Sequence, residues 1–159
     1  MGGYKYVADV DIRYPGTNRT YYFLVYGTRE PPGIEVFRDC QIKALEAQST
    51  ISGQRSLQKR ETAGQSSLFD STWETAPVSH RQFLDDQRAA ARSSLLDIAA
   101  AEAGIQWGKV WPRLLADYAI RKTDAGAMAA ELRKNGAIAC KGWEPNKRIP
   151  AEGYELRKA

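Results

Sequence analysis

From Trp107 onward the chain spells helix, helix, hairpin, and that order leaves few folds open. Trp107, Val110, Trp111, Leu114, Leu115 and Tyr118 recur at i, i+3, i+4, i+7, i+8 and i+11, the face of a helix directed at a core. Pro112 belongs within or near the first turn, because proline has no N–H to give a helix interior. Arg121-Lys122 closes this helix with positive charge, as its dipole prefers. Thr123 is a good N-cap for the next helix. There Ala125, Met128, Ala129 and Leu132 face inward until Asn135-Gly136 supplies the stop. Ala137–Trp143, a Pro-rich basic tip and Tyr154-Glu-Leu-Arg157 then read as a β-hairpin. This is the order of a winged helix-turn-helix, a unit that grips nucleic acid or another protein and does no chemistry of its own.

Upstream, Tyr4, Tyr6, Ala8, Val10 and Ile12 alternate along one strand face, and Pro15-Gly16 marks a turn. Thr20–Gly27 is an aromatic and β-branched run with the composition of a buried strand. The two strands predict an antiparallel hairpin, which alone is marginal in water and calls for a larger sheet. Pro31-Pro32-Gly33 opens a helix through about Gln48, with Ile34, Phe37, Ile42 and Leu45, flanked by Val36 and Cys40, as its apolar stripe. Glu35 near its start favours the dipole. Residues 49–79 turn polar and Gly/Ser-rich, which reads as a linker carrying a Leu68-Phe69 island and a lone Trp73. From Arg81 to about Ala103 a helix returns, with Phe83, Gln87, Ala91, Ser94, Leu95 and Ile98 on one face; Gly104 ends it, and Ile105-Gln106 is a short strand candidate. The expected fold class is α+β, in three segments. A β-hairpin and helix occupy 1–48, a linker 49–79, and the winged helix-turn-helix 80–159.

Charge separates these segments. From Arg133 onward seven cations face three glutamates, so the formal net charge of +4 comes entirely from the C-terminal unit. That asymmetry points to a polyanion, DNA or RNA. The second helix is nevertheless poorly equipped to read bases. Its outward Asp124, Gly126, Ala127, Ala130 and Glu131 include no Arg, Asn or Gln, and only Arg133 and Lys134 carry the right charge. The hairpin is the better candidate: Lys141 lies on it, Lys147-Arg148 would hold phosphates, and Trp143 at the tip would stack on a base or sugar; the alternative is that Trp143 packs on the hairpin's own base and the cations are simply solvated. The candidate nucleic-acid-binding set is therefore Arg133, Lys134, Lys141, Trp143, Lys147 and Arg148.

Catalytic and metal patterns are missing. There is no dinucleotide-binding glycine fingerprint, phosphate-binding loop or zinc-protease helix. Two distant cysteines, Cys40 and Cys140, read as small buried hydrophobes, and one histidine, His80, is too little for a triad or metal site. Asp9 and Asp11 read as the polar side of a half-buried strand. No cofactor or catalytic residue is expected. With no apolar run of membrane-spanning length and no apolar leader core, the chain reads as cytoplasmic with no membrane partner.

The order of motifs is similar to the C-terminal part of three-Cys-motif partner (TcmP) proteins. Tyr21–Thr28 followed by Pro32-Gly33-Ile-Glu-Val-Phe-Arg-Asp39 resembles the end of that family's methyltransferase-like domain. Gln65-Ser-Ser-Leu-Phe69 resembles its Leu-Phe element, and Leu132–Ile138, Gly142-Trp143 and Arg148-Ile-Pro150 resemble its C-terminal winged helix. The resemblance implies a bacterial or archaeal protein that pairs with a radical-SAM-like protein bearing three cysteines. It also implies that 1–48 is the remnant of a Rossmann-like methyltransferase sheet. The glycine-rich segment that would hold S-adenosylmethionine has no counterpart among these residues, so no activity is carried over with it.

Three functions follow as expectations. The first is a non-catalytic C-terminal portion of a TcmP-like protein that binds nucleic acid mainly through its basic wing. The alternative is an interaction subunit that dimerises or completes a partner's sheet, including that of a missing N-terminal half. Least favoured is a methyltransferase acting alone.

Overall fold

The computed structural model describes residues 3–13, 20–62, 80–102, 104–144 and 147–159, without the side chains of Arg13 and 49–62. These residues form a mixed α+β fold of four helices and two small antiparallel sheets. The expected turn at 14–19 and the Leu68-Phe69 and Trp73 positions lie outside them.

β1 (Tyr6–Arg13) and β2 (Thr20–Thr28) pair antiparallel, with Tyr6 opposite Thr28 and Asp11 opposite Phe23. Side chains alternate across a strand, so Tyr6 and Ala8 turn inward and are buried. β2 departs from expectation. Its composition predicts burial, yet every residue from Tyr21 to Val25 is exposed. Only its Thr28 end is covered, by α1 (Pro31–Thr62), where Tyr26 stacks on Phe37 at 4.6 Å.

α1 runs fourteen residues beyond Gln48, into the segment that composition marks as linker. Propagating an existing helix costs far less than nucleating one. Residues 54–62 contain Gln, Arg, Leu, Lys and Glu with no proline, leaving Gly53 as the main local penalty. Ile34 and Ile42 are buried as expected, but Val36 and Cys40 are exposed, so Cys40 is not a core hydrophobe.

α2 (His80–Ala101) buries Leu84, Ala91, Leu95 and Ala99, a stripe that shares Ala91 and Leu95 with the predicted face and replaces Phe83 by Leu84. β3 (Ile105–Gln106) forms as anticipated and pairs with β5 (Glu155–Lys158), which also pairs with β4 (Ile138–Lys141), giving the order β3-β5-β4. Between them lie α3 (Trp107–Asp117) and α4 (Lys122–Lys134). Pro112 sits in the second turn of α3 and is itself buried.

α4 starts at Lys122, not after a Thr123 cap. The Arg121 N–H donates to the Asp124 carboxylate at 3.0 Å, which occupies the capping role and leaves Thr123 exposed in the first turn. At its far end the Gly136 N–H donates to Arg133 O and the Ala137 N–H to Leu132 O, with Gly136 at φ 69°. This is the Schellman closure, and it explains the glycine.

The segments separated in the sequence share one core. Tyr6, Ala8 and Ile34 belong to the same buried cluster as Leu95, Trp111, Leu114, Leu132, Ile138 and Leu156. Each of the larger aliphatic side chains among them contributes about 1.5–3 kcal/mol when fully withdrawn from water. Arg38 is the buried charge at this junction, 2% exposed. Its Nε donates to Leu115 O at 2.6 Å, and its two terminal nitrogens to Ala116 O at 2.7 Å and Gln41 Oε1 at 2.6 Å. It thus terminates α3 from the side by satisfying two of its last four carbonyls. Burial lowers its pKa to about 10, while Asp9 and Asp117 pull the other way, so it stays charged at neutral pH.

Candidate nucleic-acid interface

The six candidate residues fall on α4, on β4 and on the connection between β4 and β5. Three of them come together. Arg133, in the last turn of α4, lies with its guanidinium 4.8 Å from the centre of the Trp143 ring and donates to Trp143 O at 3.1 Å. The indole Nε1 donates to Lys147 O at 2.8 Å. Trp143 is only 5% exposed, so it is not the open stacking platform suggested by its place at a polar tip. It is the plug on which the β4–β5 connection folds, and its one polar atom is satisfied within that connection.

Lys147 is half-exposed and pairs with Glu144 at 3.2 Å. A hydrogen bond with Tyr154, and then Glu144, raise its pKa above the ordinary lysine value, so its charge persists through neutral pH. The remaining three, Lys134, Lys141 and Arg148, are exposed and make no ion pair with another described residue. Lys141 stands opposite Glu155 in the β4–β5 ladder. The cations most available to a ligand are therefore Lys134, Lys141 and Arg148, whereas Arg133 is committed to the fold.

The outward side of α4 offers little else. Glu131 pairs with Arg92 at 3.0 Å, and Asp124 lies 3.7 Å from Arg88. Gly126 is covered by the connection itself: a Cβ there would meet Ile149 Cγ2 at 2.8 Å, so the helix must lack a side chain where Ile149-Pro150 crosses it. The start of α4 is held by α1. Arg121 pairs with Glu46 at 2.9 Å, and Lys122 reaches Glu35 and Glu152 at 3.3 Å each while its ammonium lies 4.1 Å above the Trp111 ring. These two cations are thus held by the fold and are not directed at a ligand.

Among the described residues no constellation for chemistry assembles. Among the described residues no group of His, Cys, Asp and Glu could hold a metal ion. His80 lies in a shallow cleft with Glu46, Arg81, Leu84 and Arg88 and no nucleophile. Cys140 is partly buried, and that burial raises its thiol pKa. No described helix is long and apolar enough to cross a membrane. The chain matches no family model, no curated protein and no solved structure.

Proposed function

We propose that this chain is a non-catalytic nucleic-acid-binding module, and that residues 80–159 form a winged helix-turn-helix gripping the phosphate backbone through its wing. The observation that carries the reading is topological. The order α2-β3-α3-α4-β4-β5, with β5 central in a three-stranded antiparallel sheet, supports a winged-helix reading. In that reading α4 is the recognition helix and the β4–β5 connection is the wing.

The side chains favour phosphate contact over base reading. Outward from α4 stand Thr123, Ala127 and Glu131, with Gly126 beneath Ile149, so no bidentate partner for a base edge is presented. Lys134, Lys141 and Arg148 supply charge without sequence information. The likeness of Leu132–Ile138, Gly142-Trp143 and Arg148–Pro150 to the C-terminal unit of three-Cys-motif partner proteins supports the same reading, with the N-terminal hairpin and α1 as the end of a methyltransferase-like sheet.

Fluorescence anisotropy with a labelled duplex and an RNA of equal length tests it. Three phosphate contacts predict about 40-fold weaker binding to the duplex between 50 and 200 mM salt, with no preference among scrambled sequences. Lys134→Ala, Lys141→Ala and Arg148→Ala together should flatten the salt dependence. Absence of binding at about 50 mM salt, or an unchanged slope in the triple variant, overturns the proposal.

A further inference from the structure

The strand least explained by the fold is β2. From Thr20 to Thr28 it carries no charge and no proline, the devices that normally keep an open strand edge from pairing. Tyr21, Tyr22, Phe23, Leu24 and Val25 are exposed by 60, 49, 65, 45 and 66%. Among the described residues its only strand neighbour is β1, so no described strand pairs with its other edge.

We infer that the edge of β2 away from β1 pairs antiparallel with β2 of a second copy of this chain, giving a four-stranded sheet β1-β2-β2-β1 across a two-fold axis at Phe23. Charge selects the edge. Pairing through β1 would bring Asp9 and Asp11 of the two copies together, whereas pairing through β2 leaves those carboxylates on the outer strands. Packing the outward faces together would carry Asp9 and Asp11, which stand opposite Val25 and Phe23, into an apolar contact at high cost.

The register is set by the symmetry. An axis at Phe23 places Phe23 against Phe23 and Tyr21 against Val25 on one face, and Tyr22 against Leu24 on the other. Every contact is then an aromatic or branched cross-strand pair, the kind that stabilises antiparallel ladders. With aromatics offering about 150–250 Å² each when fully covered, the five side chains still expose roughly 500 Å² per copy, and edge pairing covers the part that faces the neighbouring strand. That is less than the ~800 Å² per partner of a standard specific interface, so the dimer is a weak, reversible one held largely by its backbone ladder. The described contact of α1 with β2 lies at the Tyr26 end, where Tyr26 stacks on Phe37. The inference is independent of nucleic-acid binding.

Sedimentation velocity of the full chain from about 1 to 200 μM should show a concentration-dependent monomer–dimer equilibrium, and Phe23→Lys should weaken it at least 30-fold with unchanged circular dichroism. Because Phe23 is 65% exposed, that substitution leaves the core intact. In a Cys40→Ser background, which removes the exposed native thiol, Phe23→Cys should form disulfide dimers under mild oxidation, and Val25→Cys should not. A monomer at all concentrations, a dimer insensitive to Phe23→Lys, or equal cross-linking at 23 and 25 overturns the inference.

Discussion

Replacing Arg38 is the most direct way to ask whether the two ends of this chain depend on each other. The guanidinium makes three short hydrogen bonds, to Leu115 O, Ala116 O and Gln41 Oε1, from a position that is 2% exposed. Bonds to a charged donor contribute about 1.5–3 kcal/mol each. Against them stands the cost of burying the cation, about 3 kcal/mol for a pKa lowered to about 10. The balance is a loss of about 4 kcal/mol for Arg38→Ala. Arg38→Met keeps the packing of the stem but orphans the same two carbonyls, so its loss should be about 3 kcal/mol. Arg38→Lys keeps the charge without the fork that spans both carbonyls, and should cost about 2 kcal/mol. Urea unfolding followed by far-ultraviolet circular dichroism gives these differences. With total stability of about 5–15 kcal/mol for a domain, the alanine variant should approach the unfolding threshold. If all three variants remain within about 1 kcal/mol of the parent, Arg38 does not bind α1 to α3 in the manner described.

Two further substitutions probe local features. Gly136→Ala places a side chain at φ 69° in the closure of α4 and should cost about 1 kcal/mol, read as a lowered urea midpoint; no change would mean that the closure is not left-handed in solution. Trp143→Phe preserves most of the ring beneath Arg133 but deletes the donor to Lys147 O. It should lose about 1 kcal/mol and speed tryptic cleavage after Lys147 or Arg148; unchanged cleavage would show that the indole bond does not anchor the wing.

What the sequence makes legible follows the strength of the local signal. α3 is unmistakable because six large apolar residues fit one helical face and all but Tyr118 are fully buried. β3, although only two residues long, is bracketed by Gly104 and the α3 stripe, and it forms as read. Composition misleads where burial depends on what arrives from elsewhere. Tyr21–Val25 has the propensity of a covered strand, but propensity carries no information on whether a cover exists. Arg38 is the instructive miss among buried residues. It stands four residues from Ile34 and four from Ile42, in the stripe itself, so the spacing already places it against the core. A cation at such a position needs buried acceptors, and α3 supplies them. At Trp143 the sequence leaves two readings open: its polar neighbours suggest exposure, a hairpin base offers packing, and its indole and Arg133 build the enclosure that decides between them.

The Arg38 junction also bears on how the chain is made. Its carbonyl partner at Leu115 lies 77 residues downstream. At synthesis rates of about 5–20 residues per second, that partner follows Arg38 by roughly 4–15 s. During that interval β1, β2 and the first turns of α1 have left the ribosome with the uncharged, aromatic β2 and without the layer that holds them. Helices form within about a microsecond and hairpins within about ten, so the waiting time is set by translation and not by folding. Slowing elongation between codons 38 and 115 therefore lengthens the time that the uncharged, aromatic β2 spends without α3.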